Sequence, residues 1–182
     1  MGHSDIFPVA GSPSSLQKCF IAQVLDDGTS FTSFILSFPW ESQHECLHAK
    51  YFKPASPSDN QNIVYIMGQL KDTNAWRQYY TPFIVRYQTQ PTQGIVSGSI
   101  VKTRQVALTG VDFEFSFDRQ SLFVLGTLKT YKYGSAERDC FVIRGQLRSP
   151  NTNPIEGKLS GAYIGNAYAS ENCLGLATNR YD

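Results

Sequence analysis

Alternation of apolar and polar residues sets the first expectation. In Leu122-Phe-Val-Leu-Gly-Thr-Leu-Lys129 the residues Leu122, Val124, Gly126 and Leu128 share one parity, and in Phe141-Val-Ile-Arg-Gly-Gln-Leu-Arg148 so do Phe141, Ile143, Gly145 and Leu147. Val64-Tyr-Ile-Met-Gly-Gln-Leu-Lys71 repeats the pattern, and Val96-Ser-Gly-Ser-Ile-Val-Lys102 follows it more loosely. A period of two is the period of a strand. Glycine on the inward parity weakens a strand unless the strand bends sharply or another group must come close, and both conditions are met where a small sheet curls on itself. The pattern therefore predicts an all-β protein of barrel type: small barrels in tandem, or one larger β-barrel or sandwich.

Residues 1–16 carry Pro8, Gly11, Pro13 and several serines, the composition of a disordered arm. From Cys19 an apolar run leads into Asp26-Asp27-Gly28 and a second run through Phe34, Leu36 and Phe38, which predicts a hairpin turned at Asp-Gly. Residues 41–53 admit a short helix or an edge strand, and 54–61 form a polar loop. Strands are expected over 62–71 and 83–87, with a loop or single helical turn between them. Gln88-Thr-Gln-Pro-Thr-Gln-Gly94 offers nothing to bury, so 90–94 is expected to link two OB-like β domains, 17–89 and 95–168. Further strands are predicted near 95–104, 111–117, 121–131, 140–148 and 155–165, and 169–182 is expected to be a loose tail. In Val111-Asp-Phe-Glu-Phe-Ser-Phe117 the alternation is strict.

Composition narrows the function. A chain of 182 residues, 41% hydrophobic and 17% charged, can bury a sizeable core. A formal net charge of +1 excludes attachment to nucleic acid by bulk charge and leaves only a local patch. Twelve Phe, ten Tyr and two Trp suit β structure first and binding surfaces second. Cys19, Cys46, Cys140 and Cys173 are widely spaced without a CxxC pair, and the first residues, Met1 to Ile6, lack an apolar signal region. No apolar run is long enough to span a membrane. These features lead to the expectation of an intracellular protein, cytoplasmic or nuclear, with free thiols and no membrane partner.

Two constellations carry candidate chemistry. His44-Glu45-Cys46-Leu47-His48 has the letters of H-E-x-x-H and resembles the motif of zinc metallopeptidases. That resemblance implies His44 and His48 as metal ligands and Glu45 as general base, with zinc as the one cofactor to consider. A third ligand must come from elsewhere: His3 lies in the arm, and Glu114 is a candidate carboxylate although it lies on a predicted strand. The bland alternative is a polar surface segment. The second constellation interleaves rings with cations: Trp76, Arg77, Tyr79, Tyr80 and Arg86, then Lys129, Tyr131, Lys132, Tyr133 and Arg138 around an expected hairpin tip. Bases stack on rings while cations meet phosphates, so this is what a single-strand binder needs, although such residues also populate ordinary hairpin tips.

The order of glycine-kinked strands in the second half, with a looser copy in the first, resembles oligonucleotide/oligosaccharide-binding (OB-fold) barrels. The resemblance implies a binding module with single-stranded nucleic acid as its leading ligand. No Ser-His-Asp set, G-x-G-x-x-G or P-loop is present. The alternative is a barrel lined by Phe, Tyr and Gly that holds, or even cyclises, a small apolar molecule, as lipocalin-like barrels bind theirs, and a protein partner is a further reading.

Overall fold

The computed structural model describes residues 2–4, 18–24, 31–35, 43–52, 62–72, 79–90, 94–100, 107–132, 135–147, 156–164 and 172–179. The strands are β1 (Gly2–Ser4), β2 (Lys18–Val24), β3 (Phe31–Ile35), β4 (Gln43–Phe52), β5 (Asn62–Asp72), β6 (Tyr79–Gln90), β7 (Gly94–Ile100), β8 (Ala107–Phe115), β9 (Ser121–Lys132), β10 (Ser135–Gln146) and β11 (Glu156–Ile164). The fold is all-β. Three antiparallel sheets are formed, in the orders β1-β2-β3, β4-β5-β6-β7 and β11-β10-β9-β8. Among the described residues the two four-stranded sheets stay open and do not close into barrels.

Both faces of the β4–β7 sheet are buried. On one, Ile66, Leu70, Phe83, Val85 and Tyr87 form a cluster with Cys46 and with Cys19 of the small sheet. On the other, Ile63, Tyr65, Met67 and Ile84 pack against Phe113, Leu122 and Val124 of the β8–β11 sheet. Each such side chain contributes roughly 1.5–3 kcal/mol of transfer free energy, so this second cluster binds the two sheets into a unit. The strands on either side of the expected boundary at 90–94 pair as an antiparallel hairpin, Gln88 with Gly94 and Tyr87 with Ile95, and residues 91–93 lie outside the described residues.

Three further expectations change. Gly2–Ser4 of the supposed arm pairs with Lys18–Phe20. Residues 172–179 of the supposed loose tail are fastened to the β8–β11 sheet: Cys173 is bonded to Cys140, the Leu176 amide donates to Asp112 Oδ2 at 3.1 Å, and the Thr178 hydroxyl donates to the Phe115 carbonyl at 2.7 Å. All four cysteines are paired, Cys19 with Cys46 and Cys140 with Cys173, which corrects the expectation of free thiols and removes one premise of the intracellular reading. Such bridges persist chiefly in oxidising compartments.

The inward glycines have a different cause from barrel closure. Gly68 stands opposite Phe83 and Gly126 opposite Phe141. A methyl group at either position would overlap the facing ring, so each glycine makes room for an aromatic side chain laid across its strand. In β8 the alternation is broken by a bulge at Val111. Phe113 and Phe115 point into the sandwich, whereas Phe117 lies in the β8–β9 turn at 60% exposure. That turn is held by the Ser116 amide to the Ser121 carbonyl, 2.9 Å, and by the Ser121 amide to Ser116 Oγ, 2.9 Å, with Arg119 at a positive φ of 58°.

Candidate functional site

The described residues cover the inner face of the β8–β11 sheet only in part. Toward Phe115 it packs on the β4–β7 sheet; toward the other end Leu108, Leu128 and Phe141 form a smaller cluster with Ile143 at its edge. Strand register puts these side chains on one face, since Leu108 pairs with Leu128, and Phe141 and Ile143 pair with Gly126 and Val124. Beside this cluster lies a pocket of about 170 Å³. Leu108, Leu128, Phe141 and Ile143 supply its apolar wall. Its remaining border is the Val142 backbone region together with Gly161 and Ala162 of β11, both of them exposed. Gly161 sits opposite Ile143, and an added methyl there would meet Val142 O at 3.3 Å and Ile143 Cγ1 at 3.8 Å. A Cβ there would thus press lightly on the Val142 carbonyl, and the pocket is bordered on this side by the outer strand of the sheet.

Among the described residues no ionisable side chain lines that pocket. Shape and dispersion are all it offers, which suits an apolar ligand and provides no acid, base or nucleophile. Charged groups gather instead where β4 crosses β8. Lys50 Nζ lies 3.2 Å from Asp112 Oδ1 and 2.8 Å from Glu114 Oε2, and 5.3 Å from the centre of the Phe113 ring. Burial pushes the Asp112 carboxyl up, but amide donation from Leu176 and Phe113 and the Lys50 ammonium outweigh it, so the group is held below the ordinary carboxylate range. Next to this ion cluster Phe52, Tyr65, Phe113 and Phe115 form edge-to-face and tilted contacts with centroids 5.0 to 5.8 Å apart. Arg86 stands 5.7 Å over Tyr65 and Arg119 stands 5.8 Å over Phe52. Burial raises the Tyr65 phenol above its usual value, and the Arg86 charge offsets part of that. The arrangement has the character of a structural junction between sheets.

The H-E-x-x-H letters do not form a metallopeptidase site. Residues 43–52 are a strand, in which residues four apart lie roughly 13 Å from one another rather than one helical turn apart. A bulge at Leu47 takes up one of those steps, so the two histidines stand opposite residues three apart on β5 and lose their common parity. His44 pairs with Leu70 and His48 with Met67, which places them on opposite faces of the sheet. Glu45 accepts a hydrogen bond from Gln69 Nε2 at 2.7 Å. Among the described residues no group of three His, Cys, Asp or Glu side chains could hold a metal ion.

The aromatic and basic constellation is dispersed. Trp76, Arg77 and Tyr133 lie outside the described residues. Tyr79 begins β6, while Lys129, Tyr131 and Lys132 belong to β9, paired through Arg138, Ala136 and Ser135. The expected tip at 129–138 is mostly ladder, because β9 continues to Lys132 and β10 begins at Ser135. Arg138 is exposed, Tyr80 is half-buried, and Arg86 is 3% exposed within the sandwich. Arg86 is thus a core cation beside a ring, with no reach toward a phosphate at the surface. The pocket residues Leu108, Gly161 and Ala162 carried no functional signal in the sequence; the glycine at 161 was legible only as an inward strand position.

Among the described residues no helix is long and apolar enough to cross a membrane. No family model, no curated protein and no solved structure matches the chain.

Proposed function

We propose that the protein is a non-catalytic binding module for a small apolar molecule, held on the inner face of the β8–β11 sheet. The observation that carries this reading is the pocket of about 170 Å³ walled by Leu108, Leu128, Phe141 and Ile143, with an opening beside Gly161. An apolar space of comparable size, about 150 Å³, is enough to take up benzene in a protein interior. Burial of a ring against Leu, Ile and Phe provides about 25 cal/mol for each Å² removed from water.

The test is a methyl-NMR titration with toluene, following the methyl signals of Leu128 and Ile143. Wild-type protein should show saturable shifts at these methyls. Gly161→Leu, whose Cβ requires the Val142 carbonyl at 3.3 Å to yield slightly, should still melt cooperatively and lose at least tenfold in affinity. Equal binding by both proteins, or no shift in the wild type, defeats the proposal.

Single-stranded nucleic acid is placed second. Its support within the described residues is the exposed Arg138 opposite Lys129 on the β9–β10 ladder. Oligonucleotide binding at low ionic strength that survives Gly161→Leu and is lost in Arg138→Ala would reverse the order.

A further inference from the structure

Taking that apolar-ligand reading as its basis, we infer that the pocket accepts one end of an amphiphile, a single ring or a short alkyl chain, and that Gly126 sets the size limit through the position of Phe141. The volume fixes the first part. A space of about 170 Å³ holds a benzene-sized group with little to spare, so a larger ligand must leave its remainder outside. The way out runs past Gly161 and Ala162, which are exposed on the outer strand β11. A polar head placed there would stay in water, which matches a wall that, among the described residues, has no charged or hydrogen-bonding side chain.

The second part follows from the Gly126–Phe141 pair. The Phe141 ring lies over the Gly126 backbone so closely that a methyl group on Gly126 would overlap ring atoms Cζ and Cε1 and come within 2.7 Å of the Thr109 carbonyl. The ring is buried against Leu108 and Leu128, and its free side is the pocket. A side chain at 126 therefore drives the ring into the ligand space, whereas a smaller residue at 141 enlarges that space. Gly68 and Phe83 form the same pair in the other sheet, away from the pocket and sealed in the cluster with Cys19, and thus provide an internal control.

The experiment is calorimetric titration of the full chain with straight-chain alcohols from butanol to dodecanol. In the wild type, affinity should rise about fourfold per added methylene, the fold-change equivalent to about 0.8 kcal/mol per buried CH2, and then level off at a definite chain length. Phe141→Leu should move that plateau to longer alcohols. Gly126→Ala should abolish binding, and the double variant Gly126→Ala/Phe141→Leu should regain part of it, the contact with the Thr109 carbonyl remaining in both; cooperative melts of the two variants separate ring displacement from misfolding. Gly68→Ala should lower the melting temperature while leaving the plateau where it was. A plateau unchanged in Phe141→Leu, or wild-type affinity in a folded Gly126→Ala, overturns the role of Gly126 while the pocket stands. Absence of binding by wild type to every alcohol removes the underlying reading and this inference with it.

Discussion

The β5–β6 and β9–β10 hairpins are matched position for position and yet end in different surroundings. Val64, Ile66, Gly68, Leu70 and Lys71 have counterparts in Leu122, Val124, Gly126, Leu128 and Lys129, and Phe83, Val85 and Arg86 have theirs in Phe141, Ile143 and Arg144. In both hairpins the glycine faces the phenylalanine across the ladder. In the first, that face lies under the small sheet, with Cys19 and Cys46 joined against it. In the second, it is shared between contact with the first sheet and an open pocket. One local device thus gives a sealed core or a ligand wall, depending on what the next layer covers.

The comparison can be broken most forcefully at the rings. Phe83→Ala should cost about 3–5 kcal/mol in urea denaturation, whereas Phe141→Ala should cost less, because a ring that already borders an opening leaves a smaller new void. Equal losses would mean that the two faces are equally sealed. The disulfides come next. Replacing Cys19 and Cys46 by Ala should cost about 2–5 kcal/mol, and graded reductant with alkylation and mass spectrometry should open Cys140–Cys173 first, since Cys19 is 0% exposed and Cys173 only half-buried.

A smaller effect is expected at the latch of residues 172–179. The Asp112 carboxyl is depressed in the folded state, so its stabilisation is fully present above its ordinary value of 3.8 and is lost as pH falls through the lower folded value. Acid should loosen this segment before the sandwich, visible as early loss of the Leu176 amide shift in a pH series. Asp112→Asn should cost about 1–2 kcal/mol and abolish that acid step. The smallest change is expected for Lys50→Met, about 0.5–1 kcal/mol in thermal melts at low salt, since Lys50 and Glu114 are partly exposed.

Much of the strand pattern was legible because alternation is a local property. Leu122 to Leu128 and Phe141 to Ile143 show their shared face in the sequence itself. The continuous run Ile63-Val-Tyr-Ile-Met67 also carried a signal for a strand buried on both sides. What stayed hidden depends on partners distant in the chain. Spacing does not reveal that Cys19 meets Cys46 or that Cys140 meets Cys173. Nor does it show that Leu47 is bulged, which is what turns His44 and His48 to opposite faces. Arg86 looked like a surface cation because its burial comes from a second sheet. The pocket was invisible for the same reason: Leu108, Phe141 and Gly161 belong to three strands and meet only when the sheet forms.

The matched hairpins also stack in one direction. The Ile66 side of the first faces the small sheet, and its Met67 side receives Leu122 and Val124, the counterparts of Val64 and Ile66, from the second. A stack built front to back has a polarity that a face-to-face pair lacks. Each copy buries its predecessor's back and leaves its own back to be covered, as in repeat proteins whose last unit requires a cap. Here the cap is the segment tied down by Cys173, Leu176 and Thr178. Copying one more hairpin into the chain would therefore extend the pile without altering its existing contacts, provided that this terminal clamp moved with the newest layer.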